Sequence, residues 1–64
     1  MQTSELINLG SRTLKNKSII SHRIDSEIIL SHILKISREK LLTSENEIAE
    51  KDIVKFKYLI SRRL

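Results

Sequence analysis

Apolar residues recur along this chain at spacings of three and four rather than two, a rhythm that predicts helices. Proline is absent, Gly10 is the only glycine, and no Asn-Gly or Asp-Gly turn joins two alternating segments. No internal repeat or low-complexity segment interrupts the pattern. The first helix is expected from about Ser4 to about Lys15. Thr3 is its N-cap, and Glu5 sits in the first turn, where the helix dipole favours negative charge. At about 100° per residue, Leu6, Gly10, Leu14, Ile7, Thr13 and Leu9 share one broad stripe. Gly10 lies in the middle of it. A mid-helix glycine is about 1 kcal/mol less favourable than alanine, so the position reads as a close approach by a neighbouring helix.

Asn16 to Ile20 form a connector, after which Ser21 caps a second helix running to about Lys35. Asp25 and Glu27 lie near its positive end. Ile36, Ile29, Ile33, Ser26, Leu30 and Leu34 fill one wide face, with the small Ser26 at its centre. Ile24 and Ile28 lie on the opposite, otherwise polar side. A helix apolar on two sides is expected to be the central element, with other helices wrapped around it. Ser37 caps a short third helix, Arg38 to Leu42. Thr43 to Glu47 form a polar loop in which Ser44-x-x-Glu47 has the spacing of a capping box. The last helix starts near Ala49 or Glu50 and runs to the chain end. Its stripe is Leu59, Phe56, Ile60 and Ile53, with Leu64 at the edge, and Val54 and Tyr58 form a second, narrower strip. The expected class is all-α: a small bundle of four to five helices around a central second helix.

Sixty-four residues make a single domain at the lower limit of what one hydrophobic core supports. The absence of cysteine excludes disulfides, thiolate metal sites and cysteine nucleophiles, and points to the reducing cytoplasm. The longest apolar run, Ile28-Ile29-Leu30, is far too short to span a membrane, and the N-terminus lacks the pattern of a signal peptide. The net charge of +4 is spread evenly: residues 1–35 and residues 36–64 each contribute +2. Nucleic-acid sites concentrate their charge on one face, so the basic balance argues against that partner.

An inventory of reactive side chains reveals no catalytic set. His22 and His32 are ten residues apart, about 280° on one helix, and cannot share a metal without a further ligand. His32 is expected to be half-buried. Asp25 and Glu27, two apart, diverge on a helix and cannot act as an acid/base pair. Lys51, Lys55, Tyr58, Arg62 and Arg63 form the best candidate binding cluster, with cations around one exposed aromatic. A charged face of this kind is more often simply solvated. Arg63 falls by angle inside the apolar stripe, on the same line as Asp52, and there needs a carboxylate or backbone acceptors.

Residues 23–42, Arg-Ile-Asp-Ser-Glu-Ile-Ile-Leu-Ser-His-Ile-Leu-Lys-Ile-Ser-Arg-Glu-Lys-Leu-Leu, resemble the N-terminal domain of HemK/PrmC-type methyltransferases. Arg23, Asp25, Glu27, Leu30, His32, Leu34, Ser37, Arg38, Leu41 and Leu42 all land on matching types. Phe56, Leu59, Ile60, Arg62 and Arg63 look like the Leu-Ile-x-Arg-Arg end of that domain's last helix. The chain departs from the pattern at Ser26, where alanine is usual, at Lys35, where glycine is usual, and at Ala49, where a capping threonine is usual. Ala49 leaves Glu50 and Asp52 to serve the last helix through its dipole.

The resemblance implies that residues 1–64 are the substrate-recognition domain of a peptide chain release factor glutamine-N5 methyltransferase. The parent enzyme would use S-adenosylmethionine to methylate the glutamine of a Gly-Gly-Gln loop. Its catalytic domain, with an Asn-Pro-Pro-Tyr motif, has no counterpart in this chain, which thus carries no catalytic, cofactor or metal residues. The implied partners are a release factor and the enzyme's own methyltransferase domain. Arg23, Asp25, Glu27, His32 and Arg63 are then a structural signature. Ile24, Ile28, Lys51, Lys55, Tyr58 and Arg62 are the candidate partner-binding residues, with the loop at residues 43–47 beside them. Two other classes compete: a free-standing nucleic-acid-binding module, which predicts salt-sensitive affinity for RNA or DNA, and a structural or dimerising segment, which predicts self-association.

Overall fold

The computed structural model describes residues 1–63 and contains four helices: α1 (Thr3–Asn16), α2 (His22–Leu34), α3 (Arg38–Thr43) and α4 (Glu50–Arg63). Among the described residues no strand forms, and the one β-type contact is an isolated antiparallel bridge between Gln2 and Glu47. No helix among them is long and apolar enough to cross a membrane. The all-α bundle expected from the apolar spacing is therefore what the chain builds. Leu64, assigned by angle to the edge of the α4 stripe, lies outside the described residues.

On α1 the buried residues are Thr3, Leu6, Ile7, Gly10, Ser11 and Leu14, a stripe at spacings of three, one and three. Leu9 and Thr13, placed in that stripe by angle, are only half-buried at its margin. The N-cap is Gln2, not Thr3. Thr3 is buried inside the first turn, where its Oγ1 donates to the Asn46 carbonyl at 3.2 Å and accepts from the Asn46 N–H at 3.1 Å. Glu5 instead reaches back to accept the Gln2 N–H at 2.9 Å. Thr3 is recruited by tertiary contact, which outweighs its local preference for a cap.

The connector after Asn16 turns through Ser18 at φ 63° and buries part of Ile19 against the core, while Ile20 is 97% exposed. Ser21 stands at the N-cap position of α2, but its hydroxyl donates to the Asp25 carboxylate at 3.0 Å rather than capping a backbone N–H. α2 packs against α1, α3 and α4 and is the centre of the bundle. Leu30 and Ser26 are fully buried, and Ile29, Ile33, Leu34 and Ile36 pack at the edge of the core. Its second apolar flank is not wrapped: Ile24 is 48% and Ile28 41% exposed. With α3 only one and a half turns long, too little helix exists to cover both sides.

Lys35 ends α2 in the left-handed conformation, φ 57° and ψ 42°, where glycine would be unstrained. Ser37 caps α3 as expected, its Oγ accepting the Lys40 N–H at 3.1 Å. Ser44 and Glu47 do not form a capping box for α4. Glu47 instead accepts from the Met1 ammonium and from Gln2 Nε2. α4 begins at Glu50 without a side-chain cap, the Ala49 carbonyl receiving the N–H groups of Asp52 and Ile53. Phe56, Ile53 and Ile60 close the core over Leu6, Leu14, Leu30 and Leu41.

Candidate functional site

Two outward surfaces hold the candidate residues. The first is the open flank of α2. Ile24 and Ile28 are one helical turn apart, so their side chains neighbour each other on the surface. Arg23, adjacent to Ile24 in the helix, also lines a groove of about 260 Å³ with Ser4, Ile7, Leu41, Leu42 and residues 43–45. Both sides of the groove are fixed. Arg23 pairs with Glu27 at 3.3 Å and donates to Asn8 Oδ1 at 3.2 Å. Glu45 folds back on the start of α1 and accepts Ser4 N–H and Ser4 Oγ–H, each at 2.7 Å. The Ser4 backbone N–H, then the hydroxyl, hold the Glu45 carboxyl below the usual carboxylate range. The groove offers a guanidinium, a carboxylate and hydroxyls around an apolar floor, a mixture suited to a folded protein surface.

Four of the signature residues, Arg23, Asp25, Glu27 and His32, share α2 with the flank, and Arg63 lies at the end of α4. Glu27 is 4% exposed, and its carboxylate accepts from Arg38 Nε at 2.8 Å while pairing with Arg23. Asp25 pairs with Arg63 Nε at 3.0 Å and so ties the end of α4 to the start of α2. Arg63 therefore finds its carboxylate on α2 rather than at Asp52, and its side chain is 49% exposed. His32 is exposed rather than half-buried. His22 Nδ1 and Ser11 Oγ share a hydrogen bond of 2.6 Å, but Ser11 is nearly buried and has no open face for a substrate. Among the described residues no three His, Cys, Asp or Glu side chains gather as a metal site.

The second surface is the outer face of α4, with Lys51, Lys55, Tyr58 and Arg62 all exposed. The Arg62 guanidinium carbon lies 5.9 Å from the centroid of the Tyr58 ring, and Nη1 is 3.4 Å from the phenol oxygen. Val54 adds an exposed apolar group beside them. A further groove of about 270 Å³ runs between α1 and α4, floored by Phe56 and Gly10.

The structure thus places Ile24 and Ile28 on one helix and Lys51, Lys55, Tyr58 and Arg62 on another. Sequence reasoning did not find Ser4, Arg38 and Glu45 as organisers of the first surface. Their partners lie 11 to 41 residues away, beyond any helical spacing. The legible signal was Glu27 itself, a carboxylate at the margin of an apolar face.

No curated protein and no solved structure matches the chain. A model of the PrmC N-terminal domain matches residues 5–64. With that match and the four-helix bundle built around residues 23–42, the chain belongs to the family of PrmC N-terminal domains and is a methyltransferase-associated domain.

Proposed function

We propose that this domain recognises a peptide chain release factor for an S-adenosylmethionine-dependent methyltransferase that modifies the glutamine of the Gly-Gly-Gln loop. The observation that carries the reading is the open flank of α2. Ile24 and Ile28 stand 48% and 41% exposed on the most central helix, and Arg23, the residue before Ile24, lines a groove that it pins together with Glu45. Exposed β-branched residues on a rigid scaffold supply contact area with little ordering cost, as a docking surface requires.

A catalytic domain that grips one amide gains selectivity for a particular protein from a second, linked contact, through effective concentration. Protein interfaces commonly bury about 800 Å² per partner, a large share of the 4398 Å² this domain exposes. We place the methyl donor in the methyltransferase domain that this domain serves. We also place the enzyme in the cytoplasm, where release factors act.

The test uses the methyltransferase that carries this domain. Ile24→Asp with Ile28→Asp is expected to raise KM for the intact release factor at least tenfold, about 1.4 kcal/mol, while methylation of a short Gly-Gly-Gln peptide is unchanged. An unchanged KM for the intact factor sinks the proposal.

A further inference from the structure

Lys51, Lys55, Tyr58 and Arg62 follow one another on α4 at intervals of four, three and four residues. That spacing keeps them on one nearly straight seam, within about 60° of arc, over about 16 Å of helix. The seam faces away from the core defined by Ile53, Phe56 and Ile60. Glu50 and Asp52, the acidic residues of α4, point to its sides by the same angular count. Among the described residues Lys51, Lys55 and Arg62 make no ion pair, in contrast to Arg23, Arg38 and Arg63. Val54 and Tyr58, 59% and 57% exposed, line one edge of the seam with apolar surface.

From this arrangement we infer a second interaction surface, independent of the release-factor reading: the α4 seam docks an acidic amphipathic helix of a partner protein. Charge complementarity selects the partner. A helix repeats its own side chains every three to four residues, so Asp or Glu at that spacing comes into register with Lys51, Lys55 and Arg62. Arg62 is already steadied over the Tyr58 ring, which leaves less side-chain freedom to lose when its guanidinium takes a carboxylate. Val54 and Tyr58 call for small or apolar residues along one edge of the incoming helix. A phosphate backbone would leave Val54 uncovered, and a single tyrosine already in contact with Arg62 is a poor platform for bases.

The experiment titrates the isotopically labelled chain with a helical peptide carrying glutamates at the seam spacing and leucines along one edge. A scrambled peptide of the same composition and a short oligouridylate serve as the other probes. The patterned peptide is expected to shift amide resonances of residues 51–62 and to bind at least about tenfold more tightly than either alternative. Lys51→Glu with Lys55→Glu, exposed positions that leave the helix intact, should abolish that binding and transfer preference to a peptide with lysines on the seam. Equal binding of the scrambled peptide, no binding, or tighter binding of oligouridylate overturns the inference.

Discussion

Gly10 of α1 lies directly under the ring of Phe56 from α4: a Cβ at residue 10 would stand 2.6 Å from Phe56 Cζ and 2.9 Å from Phe56 Cε2. The same Cβ would meet Ser26 Oγ of α2 at 2.9 Å. Three helices therefore converge where two small residues face one large ring, and Phe56 is buried as a result. Small-against-large packing of this kind lets short helices close a core without a void.

Replacing Gly10 by alanine sets two effects against each other. Helix propensity favours alanine by about 1 kcal/mol, while overpacking a closed core costs about 1–3 kcal/mol. Contacts below 3 Å on two different helices make overpacking win, and Gly10→Ala is expected to lower stability by about 1 kcal/mol in urea unfolding. In a Phe56→Leu background the ring contacts are removed and only the one to Ser26 Oγ remains, so the same alanine should cost less than it does in the native sequence. An alanine that stabilises the native sequence would contradict the close approach.

The apolar spacing made α1, α2 and α4 legible, because each must bury one stripe and the period reveals which residues share it. Gly10 was legible for the same reason, as a costly residue in the middle of a stripe. What the period does not reveal is how many neighbours exist to cover a face. Ile24 and Ile28 look like a second buried side, yet the bundle has no helix left for them. Nor does local pattern reveal partners far along the chain. Thr3 has the chemistry of a cap but is taken by Asn46, 43 residues away, and Glu47 has the spacing of a capping box but is drawn to Gln2.

The pairing of Glu27 with both Arg23 and Arg38 makes its arginines redundant singly and essential together. Arg38→Ala leaves Arg23 beside the carboxylate and is expected to cost about 1 kcal/mol. Removing both strands a buried charge, for which about 3–5 kcal/mol is typical. A double-mutant cycle on thermal unfolding should therefore show strong coupling between the two positions. Simple additivity of the two losses would mean that Glu27 has another source of compensation.

Lys35 carries a penalty that one substitution removes. Its φ of 57° and ψ of 42° bring a Cβ close to the following carbonyl, a conformation about 1–2 kcal/mol unfavourable for a residue other than glycine. Glycine loses more chain entropy on folding, which offsets part of that gain. Lys35→Gly is expected to stabilise by about 0.5–1 kcal/mol and to raise Tm by a few degrees. Lys35→Val, whose branched side chain tolerates the left-handed region poorly, should lower Tm.

Glu45 links the groove to pH. Hydrogen bonds from Ser4 N–H and Ser4 Oγ stabilise its ionised form and depress its folded-state pKa below the unfolded one. When the folded pKa is the lower, the unfolded chain binds the proton more readily, and stability falls as the solution is acidified. The contribution is complete above the unfolded carboxylate pKa and disappears as pH drops through the folded value. Its size is limited, because the carboxylate is exposed and screened. Glu45→Gln should therefore flatten the acid limb of the stability curve while leaving the neutral-to-basic part parallel to the native one. Ser4→Ala removes the hydroxyl donor but keeps the backbone N–H, which is the larger cause, and should flatten the limb only in part. Urea midpoints measured from neutral pH into the acid range for the native chain and both variants separate the outcomes. An acid limb unchanged in Glu45→Gln would show that residues 43–47 are held against the start of α1 by the Thr3–Asn46 bonds and the contacts of Glu47, without help from the Glu45 carboxylate.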